Sequence, residues 1–192
     1  FDTSGSAQKG HFGIVHLGAD YLITEGILVG TKVQFDWMDQ DFAATSGTVS
    51  GFGAMAGPYA TIALGDNFFF DVSGLWGISQ NTISPVGTYA DQFTTMRWLV
   101  DAALSGQFEQ ENWTLQPTLA LKYINEDRQA YANALGVPIP AQTVAQGEIS
   151  FAPRVSYDYT LENGATLTPW LQATGLYTFQ AEGTPSAVSY AS

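Results

Sequence analysis

The chain has 192 residues, of which 45% are hydrophobic and only 12% are charged, with 18 acidic residues against 6 lysines and arginines. The net charge of −12 excludes a nucleic-acid partner, because binding to phosphates requires basic side chains that replace counterions. The absence of cysteine excludes disulfide scaffolds, thiol catalysis and thiolate metal sites.

Turn signals divide the chain into eight alternating segments, and the 20 glycines and 14% aromatic residues favour strands joined by turns. No apolar run reaches the roughly 18 to 20 residues that a membrane-spanning helix needs. The pattern predicts a single all-β, antiparallel domain over residues 1–192. The predicted strands are 11–23, 27–40, 49–64, 67–79, 93–108, 112–126, 146–161 and 166–181.

The joints between these strands alternate in length. Short joints at 24–26, 65–67, 109–112 and 162–165 contain the Gly, Asn or Asp that tight turns favour. Long joints are predicted at 39–50, 79–92, 125–147 and 180–189. Tight turns at one end and long loops at the other are typical of an outer-membrane β-barrel.

Six of the predicted strands, the second and the fourth to the eighth, have one apolar parity without a charged residue, such as the positions from Val29 to Trp37 or from Phe68 to Ile78. The opposite parity carries nearly all the charges within strands. We expect these residues to line an enclosed, hydrated lumen, since a lysine facing lipid at mid-membrane costs about 2 to 4 kcal/mol. The predicted charged wall consists of His16, Asp20, Lys32, Asp36, Asp71, Arg97, Asp101, Lys122, Glu126, Glu148, Arg154 and Asp158.

Aromatic residues cluster near the strand ends, as membrane interfaces select. The cluster near the short turns is predicted to contain Tyr21, Phe68, Phe108, Trp113 and Tyr159. The cluster toward the long loops is predicted to contain Phe35, Trp37, Trp76, Trp98, Tyr123, Tyr177 and Phe179. With strands longer than those of ordinary sheets, these belts favour an antiparallel transmembrane β-barrel over a soluble β-sandwich.

Several stretches resemble the translocator barrel of autotransporters, the type V secretion proteins. They are HFGIVHLGADYLITEGILVGTKVQFDW, GFGAMAGPYATIAL, FFFDVSGLWGIS, TLTPWLQATGLYTF, the run from Arg97 to Asp101 and the loop ALGVPIPAQTV. The resemblance extends over almost the whole chain, with GPY and the loop pattern as its most specific part.

The resemblance implies a 12-stranded barrel in the outer membrane of a Gram-negative bacterium. It also implies export of an N-terminal passenger through or alongside the lumen, a linker threaded there as a helix, and insertion by the barrel-assembly machinery. We identify eight full strands with stubs at Phe1–Asp2 and Val188–Ser192, so we expect a domain that is incomplete at both ends. We expect neither catalysis nor a cofactor.

An alternative class is a small pore, or a structural or adhesin barrel of eight strands, with no passenger. The interior of an eight-stranded barrel is just wide enough for side chains to fill it. The predicted lumen face is rich in Gly, Ala, Ser and Thr, which suits a wider barrel. An outer-membrane hydrolase and a soluble ligand-binding barrel are both disfavoured.

Candidate chemical sites are weak. His16 and Asp20 lie on one face but about 13 Å apart along a strand, so they do not form a catalytic pair by themselves. His11, near the external rim, has Asp39 or Asp91 as possible partners, without a pattern that singles them out. Asp39 and Asp41 with Glu126 and Asp127 offer oxygen ligands for calcium, but the chain has no recognised calcium-loop pattern around them, and we interpret them as solvated acids.

Overall fold

A computed structural model of the chain describes residues 8–42 and 45–182. Five long strands open the fold, and each has 16 or 17 residues: β1 (Gln8–Thr24), β2 (Ile27–Phe42), β3 (Gly47–Ala63), β4 (Phe68–Ser84) and β5 (Asp91–Gly106). Those two ranges contain no helix with the length and apolar character to cross a bilayer.

The remaining strands are interrupted at prolines, which have no N–H to donate to a neighbouring strand. Pro117 separates β7 from β8, Pro153 follows β11, and Pro169 precedes β15. These shorter strands are β6 (Phe108–Gln110), β7 (Trp113–Gln116), β8 (Thr118–Arg128), β9 (Tyr131–Ala132), β10 (Pro138–Ile139), β11 (Gln142–Phe151), β12 (Arg154–Tyr157), β13 (Tyr159–Thr160), β14 (Thr166–Leu167), β15 (Trp170–Gln172) and β16 (Gly175–Glu182).

The main sheet is antiparallel and has the strand order β1-β2-β3-β4-β5-β8-β11-β16. Beyond the prolines a four-stranded sheet, β15-β12-β7-β6, continues the pairing, and β13 pairs with β14 at its tip. Within residues 8–42 and 45–182, the edge strands β1 and β16 do not pair with each other. These eight strands therefore do not close into a small barrel of their own, which was the alternative architecture.

The strand register gives the sheet two chemically distinct faces. On one, Asp101 pairs with Ser73 and with Lys122, and Arg97 pairs with Glu126. On the other, Trp98 pairs with Trp76 and with Asn125. We call these the polar face and the apolar face, and we call the two ends of the strands the short-turn end and the long-loop end.

The strands extend further toward the long loops than the sequence predicted. The loop predicted at 79–92 shrinks to 85–90, and the one predicted at 125–147 shrinks to the segment between Arg128 and Gln142, which contains the hairpin β9–β10. Beyond the apolar rows the strands are largely polar on both faces, so the alternation that reveals a strand in the sequence disappears there. The stubs at Phe1–Asp2 and Val188–Ser192, and most of the loop at 180–189, lie outside the described residues.

A small apolar core lies on the polar face. Met55, Leu75, Leu99 and Ile124 form one buried cluster, with Met55 and Leu75 only 1% exposed. Leu75 pairs with Leu99, and Leu99 with Ile124, across three adjacent strands. The sequence analysis described this face by its charged, polar and small residues and missed the cluster.

Candidate functional site: the polar face of the sheet

The central feature of the polar face is an ion pair between Arg97 on β5 and Asp36 on β2. Nη1 and Nη2 of the guanidinium donate to Oδ1 and Oδ2 of the carboxylate at 2.9 and 2.8 Å. The two side chains are 3% and 11% exposed. The guanidinium reaches past β4 and β3, so this charge-assisted pair ties together strands that are not neighbours in the sheet.

Gly53 on β3 makes room for this pair. A Cβ atom at that position would stand 1.7 Å from Nη2 of Arg97 and 2.8 Å from Oδ1 of Asp36. Gly53 pairs in register with Asp36 on one side and with Ser79 on the other. The guanidinium and the carboxylate therefore meet directly over the backbone of β3 at Gly53, and any larger residue there would occupy the same space. We call a glycine that leaves space for a side chain to cross its strand in this way a glycine floor.

His16 connects to this ion pair through an amide. Its ring nitrogen Nε2 donates to Oε1 of Gln34 at 2.9 Å, and Nε2 of Gln34 donates to Oδ2 of Asp36 at 3.4 Å. Gln34 is only 4% exposed. The histidine is thus part of a hydrogen-bonded row that runs from β1 to β5.

A second crossing brings Tyr59 on β3 to Asp20 on β1. The phenol Oη donates to Oδ2 of Asp20 at 2.5 Å. On the intervening strand, a Cβ atom at Gly30 would stand 2.6 Å from the tyrosine ring. Tyr59 therefore lies over Gly30, as the arginine lies over Gly53, and a glycine again permits a side chain to bridge two strands.

Asp101 on β5 is the centre of a third group of polar contacts on this face. The hydroxyl of Ser73 donates to its Oδ2, and Nζ of Lys32 lies 3.5 Å from the same oxygen. The side chains of Lys32 and Asp101 are 27% and 41% exposed, so this ion pair contributes little to stability, about 0 to 1 kcal/mol. Lys122 pairs in register with Asp101 and with Glu148.

The other acids of the predicted wall are bound by uncharged donors. These bonds are Thr61 to Asp71 at 2.6 Å, Thr95 to Glu126 at 2.6 Å, Gln146 to Glu148 at 2.6 Å and Thr168 to Asp158 at 2.7 Å. Arg154 lies over the ring of Trp170, 4.6 Å from its centroid. Each of the seven wall carboxylates therefore accepts a hydrogen bond from a neighbouring side chain.

The structure brings some predicted wall residues together and leaves others apart. Asp36 meets Arg97 and Lys32 meets Asp101, whereas His16 and Asp20 have different partners. Sequence reasoning missed the glycine floors and the donors that bind the acids. For Tyr59 a signal existed, because it ends the GPY stretch that carried the resemblance.

On the apolar face, aromatic rings meet in two groups, one at the short-turn end and one about midway along the strands. At the short-turn end, the Phe68 ring meets Phe108 at 5.4 Å and Trp113 meets Tyr157 at 4.8 Å. Toward the long loops, the ring pairs are Phe35–Phe52, Trp98–Tyr123 and Tyr123–Phe179, with centroids 6.4, 5.0 and 6.5 Å apart. Trp37 lies over Gly13, where a Cβ atom would stand 2.2 Å from the indole.

The candidate calcium ligands do not converge. Asp39 and Asp41 extend β2, where they pair in register with His11 and Lys9. Glu126 and Asp127 lie on β8 and accept hydrogen bonds from threonines. In the two described ranges, no three His, Asp or Glu residues are grouped as a metal site would require.

The loop after β8 folds back onto the polar face at the long-loop end. Oδ1 of the buried Asp91 accepts a hydrogen bond from the backbone N–H of Ala134 at 2.7 Å. Tyr131 stacks on Phe93 with centroids 5.6 Å apart, and Arg128 lies beside both rings. Burial raises the pKa of the Tyr131 phenol above its usual 10.0, and the Asp91 carboxylate raises this pKa further, although Arg128 partly opposes them.

Comparison with known proteins agrees with this architecture. The family model described as the autotransporter beta-domain matches residues 2–192. A solved structure titled "Crystal Structure of the Beta Domain of the Bordetella Autotransporter Brka" resembles the chain with a TM-score of 0.65 and 15% identity. That similarity covers 90% of this chain and 72% of the Bordetella chain. No curated protein matches.

Proposed function

Because the chain belongs to the autotransporter beta-domain family, whose members are outer-membrane translocators, we propose that its polar face lines the lumen in which the passenger segment lies. The fold is an all-β, antiparallel outer-membrane barrel domain of a Gram-negative bacterium, and the predicted family is confirmed. The domain anchors in the outer membrane and serves the export of a passenger.

One observation carries the assignment of the lumen wall. All seven carboxylates of the wall accept hydrogen bonds from side chains of the same face, and the most buried of them is held by Arg97. A carboxylate that is already bonded gains less from a passing basic side chain than an unbonded one would. The wall charges therefore brace the strands and leave a surface that does not hold a moving peptide tightly.

The wall also offers space for a peptide. A cavity of about 670 Å³ lies against Lys32, Leu99, Ala120 and Glu148. Its lining combines an apolar patch with bonded polar groups, which suits a segment held by packing more than by specific ion pairs. The proposed occupant is the chain's own passenger or linker segment.

The adjacent residues Ala120 and Leu121 on β8 provide the test, because they lie on opposite faces of one strand. A photo-crosslinking amino acid at position 120 of the full-length protein should form an adduct with its own passenger segment during export. The same group at position 121 should react with lipid. Passenger adducts at position 121 but not at position 120 would contradict the assignment of the faces.

We further propose that the two groups of aromatic residues on the apolar face lie at the two membrane interfaces. Amphipathic rings such as Trp98 and Tyr123 prefer the headgroup level. Apolar residues between the belts, such as Leu104, Leu119 and Leu121, are exposed, as lipid contact requires. Trp76 is 57% exposed and Tyr177 is 67% exposed. Quenching of tryptophan fluorescence by lipids brominated at different depths should be strongest with bromine near the headgroups.

The role that we propose involves no bond chemistry. His16 donates to Gln34, and Asp20 accepts from Tyr59, so these two residues are engaged separately. Replacing His16 with Gln, which retains a donor, should leave export unchanged. Loss of export in H16Q at normal protein levels would favour a catalytic histidine.

We also propose that the barrel-assembly machinery inserts the domain. Within the described ranges β1 and β16 each pair on one side only, and an open strand edge is prone to aggregation until it is covered. A partner that holds the edge during insertion meets this need. Depletion of the assembly machinery should abolish the protease-resistant barrel, whereas unchanged resistance would exclude the dependence.

A further inference from the structure

A polar groove interrupts the apolar face near the long-loop end. Most of its side chains stand on that face, opposite the proposed lumen, and its lining also includes Phe93 of the polar face and Tyr131, which stacks on Phe93. The groove has a volume of about 820 Å³. Register places its residues in two neighbouring rows: Ser50 pairs with Thr82 and Thr82 with Gln92, while Phe52 pairs with Gln80 and Gln80 with Thr94. We call it the amide groove.

The chemistry of the amide groove is uncharged. Its side chains offer amide and hydroxyl groups, which both donate and accept hydrogen bonds, together with the exposed ring of Phe52 and the rings of Phe93 and Tyr131. Within the described residues, no side-chain hydrogen bond engages Gln80, Gln92 or Gln129, so these amides are available to a ligand. Paired hydroxyls with an apolar face are the groups that sugars present, whereas a phosphate would select arginine or lysine.

The position of the groove points to a lipid-borne sugar. It begins one row beyond the apolar pair Ile78 and Met96, where the face turns from apolar to polar. On the same strands, an apolar groove of about 830 Å³ lies further toward the short turns and is lined by Ala60, Val72, Gly74 and Trp76 among others. Gln80 is four residues from Trp76, about 13 Å along β4. One amphiphile can therefore place its sugars in the upper groove and a chain in the lower one.

We propose that the amide groove binds the uncharged sugars of an outer-leaflet glycolipid whose acyl chain lies in the apolar groove. The glutamine amides bond pairs of sugar hydroxyls, and Phe52 packs against a sugar ring. This contact would hold the glycolipid against β3, β4 and β5, independently of what the lumen contains.

The test titrates the full-length protein in detergent with three probes and counts bound molecules by native mass spectrometry. The probes are digalactosyl diacylglycerol, phosphatidylglycerol with the same acyl chains, and free digalactose. We expect the glycolipid to bind at least about tenfold more tightly than either other probe, as one or two extra hydrogen bonds would give.

Variants separate the groove from general lipid contact. The double variant Gln80→Leu/Gln92→Leu, and the near-isosteric Thr94→Val, should each lose the preference for the glycolipid. Gln110→Leu, an exposed glutamine at the short-turn end, should keep it. Equal binding of phosphatidylglycerol, or a preference that survives both groove variants, would overturn the proposal. Binding of free digalactose as tight as that of the glycolipid would refute the lipid source.

Discussion

Replacing Gly53 with Ala should break the central ion pair of the polar face. The new Cβ would stand 1.7 Å from Nη2 of Arg97, so the guanidinium must move, and Oδ1 of Asp36 would be 2.8 Å away. Removing one partner of a buried ion pair costs about 3 to 5 kcal/mol, and this is an upper limit because both charged groups remain. Loss of the bidentate hydrogen bonding between Arg97 and Asp36 should alone lower the free energy of unfolding by about 2 kcal/mol, because hydrogen bonds to charged groups contribute about 1.5 to 3 kcal/mol.

Gly18→Ala is the matched control on the same face. A Cβ atom there would meet its nearest neighbour, a backbone oxygen of Thr31, at an ordinary 3.4 Å. Since alanine reduces the entropy of the unfolded chain, G18A should be neutral or stabilising by about 0.4 to 1 kcal/mol. Urea unfolding in detergent, followed by the fluorescence of the five tryptophans, gives both free energies of unfolding.

A double-mutant cycle isolates the cause. In the background of Arg97→Ala the obstructing guanidinium is absent, so Gly53→Ala should cost little there. If G53A costs as much in the R97A background as in the parent, the effect comes from the backbone of β3 and the account of the glycine floor is wrong.

Three further changes test other parts of the structure. Leu75→Ala should lower the free energy of unfolding by about 2 to 5 kcal/mol, because it opens a cavity in the buried cluster with Met55, Leu99 and Ile124. A loss below about 1 kcal/mol would show that the cluster is not packed. Ala60→Lys on the apolar face should destabilise the inserted barrel by about 2 to 4 kcal/mol, whereas Ala120→Lys on the polar face should be tolerated. An equal loss of stability in the two variants would contradict the assignment of one face to lipid and the other to water. The raised pKa of Tyr131 means that its contribution to loop docking is fully present below the usual tyrosine pKa of 10.0 and is lost as the pH rises through the folded value. Hydrogen exchange of the Ala134 amide should therefore accelerate above pH 10 beyond its intrinsic rate, and Tyr131→Phe should abolish the extra acceleration.

Strand parity was sufficient to predict which charged side chains share a face. Lys32, Asp36, Asp71 and Arg97 alternate with apolar residues, and alternation is a local property of the strand. The partners of these residues were not predictable in the same way. Arg97 and Asp36 are 61 positions apart, and their contact depends on the register of four strands and on a glycine between them.

The apolar cluster shows a different limit. Leu75 stands at the same parity as Asp71 and Ser73, and Leu99 at the same parity as Arg97, so the signal was present in each strand. Only the pairing of β4 with β5 and of β5 with β8 brings these residues together. A single leucine at a polar parity, taken strand by strand, does not indicate a cluster. The cluster becomes visible only when the strand register places several such residues side by side.

The loop lengths were overestimated for a physical reason. At Ser79–Ser84 and Asp39–Phe42 the strands continue beyond the apolar rows, where water meets both faces and selects no alternation. The serine, asparagine and aspartate residues of these stretches then resemble loop residues. The sequence therefore predicted where the apolar rows end, but not the strand ends beyond them.

The central claim is that the polar face meets water inside the barrel while the apolar face meets lipid. Ala102 and Ala103 are adjacent on β5, and they pair with Val72 and Asp71 on β4 respectively, so they lie on opposite faces. Residues 1–192 contain no cysteine, and Ala102→Cys and Ala103→Cys each introduce one thiol. In native outer membranes, a small charged methanethiosulfonate should modify A103C and leave A102C unmodified until detergent is added. Faster modification of A102C than of A103C would contradict the account.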